Sequence, residues 1–414
     1  MTPSKAALAA ISATCALAFA GAAAAQAQQP VGQAAARVLS LSREERVALA
    51  ALQTAAAGMD RAAQDAALAA ARAAVRGADG RYALGHFQVQ IGQARGDAQM
   101  IGQGVDAMVE SGLAQPDELP SLLGNQAGRA YYAAQFDRAD RLLARAAEVQ
   151  PGNAAVLADH AQVKARRGDR ASAVALLQRA IQVQQATGAV APESWYLRAV
   201  ALAMEARLAP QSIALARELV AAYPTPVNWR DALLTYRQSA AADPALDLDI
   251  RRLMRAAQAL SGERDYRELA EALGRANLAG EVKAVVDEGV SRGMLDPAEP
   301  FVRQLVTANN RRVATERAGL ARLRTQALAA ATGTQARAVG DSHFGYGQYA
   351  EAAELYRAAL QKGGEDPNLV NSRLGAALAL AGQRAEAEAA LRAVTGPRAD
   401  LAAFWLSWLA RRPA

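Results

Sequence analysis

The stretch Pro120–Gln185, PSLLGNQAGRAYYAAQFDRADRLLARAAEVQPGNAAVLADHAQVKARRGDRASAVALLQRAIQVQQ, carries one helical unit twice. Leu123 recurs as Leu157, Ala127 as Ala161, Ala139 as Ala173, Leu143 as Leu177 and Ala146 as Ala180. Each pair is 34 residues apart, a period that marks a two-helix unit able to stack on copies of itself. The spacing within the unit has a physical reason. Ala139, Leu143 and Ala146 fall at i, i+4 and i+7, on one helix face. Small alanines let two helix backbones approach, and the leucine fills the space between layers.

The segment resembles the tetratricopeptide repeat family. Gly168-Asp169 stands where that family turns between its two helices, and Pro151 where it closes a repeat. The pattern returns in Gly340, Gly347, Tyr349, Ala352, Tyr356 and Ala359, followed by Pro367 after a short insertion. It returns again in Leu374, Gly375, Leu378, Gly382, Ala387 and Leu391. The resemblance implies an all-α fold, an α-α superhelix of helical hairpins. It also implies a partner held in the concave groove that the first helices line. Carried over by position, that groove includes Asn125, Tyr132, Asp159, Gln162 and Arg166, and by a looser third alignment Arg198. Asn125, Asp159, Gln162 and Arg166 offer both donors and acceptors, as an extended peptide requires. The plainer alternative is that several of them are ordinary exposed side chains.

Composition agrees with an all-α chain. Hydrophobic residues are 52% and aromatics 5%; alanine, the best helix former, is abundant. No run alternates apolar and polar residues long enough to suggest a sheet. The formal charge is +6, carried mostly by arginine. Basic runs never exceed two residues, as at Arg166-Arg167 and Arg311-Arg312, and acids are interspersed. A nucleic-acid binder would show a clustered stripe, so no nucleic-acid partner is expected.

Residues 1–27 read as a secretory signal. Lys5 supplies charge, Ala6 to Ala25 is apolar, and Ala25-Gln26-Ala27 fits the small-x-small cleavage rule. The expected location is the periplasm of a GC-rich, Gram-negative bacterium of the alphaproteobacterial type. A membrane anchor that stays uncleaved is the alternative. Cys15, the only cysteine, lies inside that signal, so the mature chain would lack disulfides, thiol nucleophiles and thiolate metal sites.

The rest divides into an N-terminal helical region with degenerate repeats (28–119), clear repeats (120–240), atypical helical repeats with a long connecting helix (241–333), and C-terminal repeats with a capping helix (334–414). Ser42-Arg43-Glu44-Glu45 is a capping-box pattern. Asp60 to Val75 predicts a helix ended by Gly77 and Gly80. Tyr82 to Ala94 and Asp97 to Glu110 predict a hairpin across Arg95-Gly96-Asp97. A third repeat, faced by Trp195, Ala199 and Leu202 and then by Ile213, Ala216, Leu219 and Val220, lacks the usual turn glycine at Leu208-Ala209-Pro210. After Asp243-Pro244 a helical pair is expected, Leu246 to Leu260 with Tyr266 to Ala276. Pro300 to Ala331 reads as one helix or as two broken near Gly319. The last helix, Asp400 to Arg411, carries Phe404, Trp405 and Trp408 and is expected to cover the apolar end of the final repeat.

Chemistry-bearing motifs are sparse. His86, His160 and His343 lie apart, without the i+3 or i+4 partner of a zinc helix. No Gly-x4-Gly-Lys-Ser/Thr loop and no Gly-x-Ser-x-Gly elbow occurs. Gly85, Gly92 and Gly96 lack the preceding strand of a dinucleotide site. The sequence therefore predicts no enzyme, no cofactor and no metal site. It predicts a periplasmic scaffold that binds a protein or peptide, with peripheral association to envelope complexes in assembly or polymer export. The alternative is a peptidoglycan- or polysaccharide-binding accessory protein, against which the low aromatic content speaks.

Overall fold

A computed structural model describes residues 39–239 and 243–411. The signal of residues 1–27, the leader that follows it, Cys15 and Arg412 lie outside the described residues. Among those described, every regular element is helical, with 20 α-helices and one short 3-10 turn, Gly396–Arg398. None is long and apolar enough to cross a membrane. The chain divides into two compact units, with the boundary between Ala191 and Pro192.

The first unit is four helical hairpins: α1 (Arg43–Ala57) with α2 (Arg61–Ala74), α3 (Ala78–Arg95) with α4 (Ala98–Glu110), α5 (Leu119–Tyr132) with α6 (Phe136–Val149), and α7 (Ala154–Arg166) with α8 (Arg170–Ala186). All ten residues of the 34-residue period are core. Leu123, Ala127, Ala139, Leu143, Ala146 and their five counterparts are each 0–1% exposed. The helix starts are capped as their sequences require. Asp60, Asp97, Asn153 and Asp169 each accept from a backbone N–H of the first turn. Ser42 and Glu45 complete a capping box.

Glu45 then does a second job. Its Oε1 accepts the N–H groups of Arg76 and Gly77, both at 2.8 Å. Those donors sit at the start of α3, where N–H groups lack partners within the helix. The bonds from Gly77, Arg76 and Ser42 outweigh burial and hold the carboxyl down at about 2. This anchor explains a departure from the sequence reading. Gly80 does not end α2 but lies inside α3, which begins at Ala78. A Cβ at Gly80 would sit 2.9 Å from Glu45 Oε1, so a bare glycine lets the helix start against the carboxylate.

Apart from the turn between α1 and α2, where Gly58 is extended at φ −93°, the hairpin turns share one geometry. A residue one or two places past the first helix takes left-handed backbone angles, and the next N–H reaches back five residues to close the helix end. Gly168 fills that position in the second clear repeat, but Ala134 fills it in the first and Arg207 in the third, both at φ 57°. The turn survives without glycine because hydrogen bonds such as Gln135 N to Ala130 O and Leu208 N to Ala203 O, each 2.8 Å, hold it.

The second unit begins with the hairpin α9 (Glu193–Glu205) and α10 (Ala209–Ala222), followed by α11 (Pro226–Ser239) and α12 (Pro244–Ala256). The expected pairing shifts here. The helix containing Tyr266, α13 (Gly262–Arg275), packs chiefly on α14 (Ala279–Ser291), not on α12. α15 (Pro300–Ala329) is one unbroken helix of 30 residues that passes through Gly319. The hairpins α16 (Gly333–Gly345) with α17 (Tyr349–Lys362) and α18 (Pro367–Leu380) with α19 (Arg384–Arg392) follow.

The last helix, α20 (Ala399–Ala410), covers the final hairpin as expected, but it also turns back onto the start of its own unit. Phe404 packs on Trp229 and Tyr236, with ring centres 6.2 and 5.9 Å apart. Trp408 Nε1 donates to Ala256 O at 3.2 Å, and Tyr236 donates its hydroxyl proton to Pro397 O at 2.9 Å. Phe404 and Trp405 are essentially unexposed. The tryptophans are thus a shared core between early helices of the unit and its last one, not a lid on one open end.

Candidate functional site

The structure distributes the six groove residues unequally. Asn125 and Tyr132 lie on α5, and Asp159, Gln162 and Arg166 on α7, the first helices of consecutive hairpins. Asn125, Gly128 and Tyr132 follow one another by single helical turns, as do Asp159, Gln162 and Arg166, so each trio shares a face. Tyr132 is 66% exposed. Asp159 and Arg166 are exposed, and Asn125 and Gln162 half-buried. Arg198 belongs to the second unit, half-buried on α9.

Arg166 joins the two helices. Its Nε donates to the Tyr131 hydroxyl at 2.9 Å, and its guanidinium lies 5.9 Å from the Tyr131 ring centre. Tyr131 meets Tyr132 edge-on at 5.7 Å and Phe136 at 5.5 Å. An aromatic and guanidinium surface therefore spans α5 and α7. Gly124 and Gly128, one turn apart on α5, have no atom within 4 Å of where a Cβ would be. They leave backbone open beside the tyrosines. The Asn125 Oδ1 is shielded from solvent and has no hydrogen-bond partner among the described residues, a state that costs free energy until a donor reaches it.

Three features here escaped the sequence reading. Tyr131, not Tyr132, contacts Arg166. Asp106 clamps the back of α5 through Arg129, at 2.5 and 3.3 Å, and through Gln126 at 2.7 Å. Finally, Asp140 on α6 receives His160 at 2.8 Å and Lys164 at 3.0 Å, with Arg167 also paired to it. Burial alone would raise the Asp140 carboxyl; its bonds to His160 and Lys164 and the charges of Lys164 and Arg167 bring it below its ordinary value. His160 is thus tied into the packing of α6 on α7. The i,i+4 spacing of His160 and Lys164, which puts both on one face of α7, is the signal in the sequence that could have pointed to it.

The second unit holds the main concentration of buried charge. Asp249 accepts from Arg398 at 2.7 Å, Arg252 at 3.0 Å and Arg373 at 3.1 Å. Arg373 also reaches Asp341 at 2.7 Å, Tyr356 donates to Asp341 at 2.7 Å, and Arg252 reaches Glu281 at 2.6 Å. Burial would raise the Asp249 carboxyl, but Arg373, Arg252 and Arg398 together hold it below the usual carboxylate range. The void beside this cluster, lined by Asp249, Arg252, Ser372, Arg373 and Trp405, is about 10 Å³, enough for a water molecule and too small for a substrate. His343 is buried, and burial pushes it below its ordinary value. Gly85 and Gly104 serve packing: a Cβ on Gly85 would stand 2.5 Å from Gly104 O, so α3 and α4 cross backbone to backbone. Among the described residues no group of three or more His, Cys, Asp or Glu side chains is placed to hold a metal ion.

No family model matches the chain, and no curated protein matches it. Solved structures similar to it include a tetratricopeptide repeat protein from Parabacteroides merdae, at 10% identity and TM-score 0.33, covering 72% of this chain and 99% of that one. Pseudomonas aeruginosa pilF gives 15% identity and TM-score 0.28, over 56% of this chain and 92% of that one. The TPR2AB domain of yeast Sti1, solved in a complex with pHSP90, gives 16% identity and TM-score 0.24, over 72% of this chain and all of that one. Scores this low carry no argument about fold or partner.

Proposed function

We propose that the chain is a tetratricopeptide-type scaffold, exported to the periplasm, which holds a protein or peptide partner across α5 and α7 of its first unit and takes part in envelope assembly or polymer export. One observation carries the reading. The faces of two consecutive first helices leave Tyr132, Asp159 and Arg166 exposed beside the open backbone of Gly124 and Gly128. An extended chain laid there meets an aromatic edge, a carboxylate and a guanidinium at repeat spacing. No catalytic step is assigned, because the buried carboxylates of the second unit are already committed to arginines around a water-sized void.

The test is a photo-crosslinking amino acid at position 132, with Ala175 on the exposed side of α8 as control, followed by mass spectrometry of intact cells. Adducts at 132 that disappear with Arg166→Glu and are absent at 175 support the reading. Equal adducts at both positions, or none at 132, overturn it. Co-sedimentation with purified cell wall that survives Tyr132→Ala and Arg166→Glu would replace it with the polysaccharide-binding role.

A further inference from the structure

The long helix α15 differs from every other helix of the second unit in its charge. It carries six arginines and a single acid, Glu316. Elsewhere in the unit, most arginines find acids one turn away or on another helix. Arg251 pairs with Asp247, Arg264 with Glu268, Arg267 with Glu263 and Arg384 with Glu388. On α15 only Arg324 has an ion pair among the described residues, with Glu354. Glu316 faces inward, accepting from Ser342 and Tyr346. Arg303, Arg311 and Arg322 are exposed and form no ion pair with any described residue. Arg312 bonds only the Asn277 amide, and Arg317 lies over the Tyr346 ring. Five guanidiniums, spread over about 29 Å of helix from Arg303 to Arg322, therefore form no ion pair with any described carboxylate.

The pattern of burial fixes which face is free. Val302, Asn309, Leu320 and Ala327 are the buried residues of α15. The opposite side bears Thr307, Ala308, Arg311, Ala314, Thr315, Ala318 and Arg322, all exposed. Arg311 and Arg322 lie on one stripe, eleven residues and about 16 Å apart. Side chains between them are short, so a second chain can come close to the helix while its acids reach the guanidiniums.

We propose that this outer face of α15 docks an acidic polypeptide segment. The occupant follows from charge complementarity, which steers and orients a partner at a row of uncompensated cations. A second copy of this chain fits badly, because two-fold antiparallel pairing about the middle of the stripe sets Arg311 against Arg322 of the other copy. A bilayer lacks its usual anchor here: Val306, at 36%, is the large apolar side chain of α15 that is exposed, and peripheral helices insert a broad apolar face. Single-stranded nucleic acid lacks the aromatic platform on which bases stack. The site lies in a different unit from the α5–α7 surface and does not rest on it.

The experiment measures binding of fluorescein-labelled poly-L-glutamate to the purified protein by anisotropy, in low and high salt. Wild type is expected to bind, and Arg311→Glu with Arg322→Glu to weaken binding about tenfold or more. The control reverses Arg264 and Arg275, which are equally exposed on α13, and should leave affinity within about twofold. Both variants alter solvent-facing side chains, so circular dichroism should match wild type. Absence of binding, or equal loss in the control, overturns the proposal. So does tighter, Arg311- and Arg322-dependent binding to vesicles containing 30% phosphatidylglycerol, which would reassign the face to lipid. A concentration-dependent dimer that these reversals abolish would reassign it to self-association.

Discussion

The two units use the same hairpins to opposite ends. In the first, the faces of α5 and α7 carry exposed side chains beside open glycine backbone. In the second, α20 packs back onto the unit's own early helices, and Asp249 gathers arginines from α12, from α18 and from the turn before α20. Stacked repeats bury their apolar stripes pairwise, which leaves their other faces free to be used or filled. In the first unit Tyr132, Asp159 and Arg166 stay exposed on those faces, whereas the second unit fills its own with α20 and the arginines around Asp249.

The contrast can be broken most forcefully at Trp405. All four tryptophans, Trp195, Trp229, Trp405 and Trp408, belong to the second unit, so their fluorescence reports that unit alone. Trp405→Ala should cost it about 4 kcal/mol, read as an early loss of tryptophan signal on denaturant titration. Protection of first-unit amides against hydrogen exchange should stay as in wild type; loss of protection in both units would mean that closure by α20 does not belong to the second unit alone. Next, Asp249→Asn removes the carboxylate shared by three buried arginines and should cost about 3 kcal/mol. A variant as stable as wild type would show that the cluster is solvated and the closure purely apolar. Because the Asp249 carboxyl is held below its ordinary value, its contribution is present above the unfolded carboxyl value and fades as acid approaches the depressed one.

Glu45→Gln acts on the first unit and should cost about 2 kcal/mol, since a charged acceptor of several backbone N–H bonds becomes neutral. Here the pH window is explicit. The folded carboxyl sits at about 2 against 4.5 in the free residue, so wild type should lose stability between pH 4.5 and 2 and the variant should lose less. Parallel acid curves for the two proteins would remove Glu45 from the account. The smallest effect is a gain: Arg207→Gly relieves a left-handed position and should add about 1 kcal/mol to the second unit. Its counterpart Ala134→Gly should add a similar amount to the first, and a loss in either would show that the side chain contributes contacts worth more than the backbone strain.

Much of this was legible along the chain. The 34-residue period picked out ten core residues correctly because apolar spacing on a helix dictates which face is buried. The capping box at Ser42, the hairpin turn at Gly96 and the glycine-free turn near Leu208 were legible for the same reason: each depends on neighbours within a few residues. The length of α15 was open, since nothing local at Gly319 decides whether a helix continues. The groove residues were assigned by position alone, and the structure joined Arg166 to Tyr131 because only side-chain reach across two helices selects between adjacent tyrosines.

What the sequence determined by itself is the repeating helical hairpin, its core and its capped ends, because those follow from periodicity and short-range hydrogen bonding. Tertiary structure decided the partner of each later helix, the glycine crossing of α3 and α4, and the return of α20. Asp249 meets Arg373 and Arg398 across 124 and 149 residues. Separations of that kind leave no mark in a local pattern, since many arginines could reach a given acid and only the packed backbone selects among them.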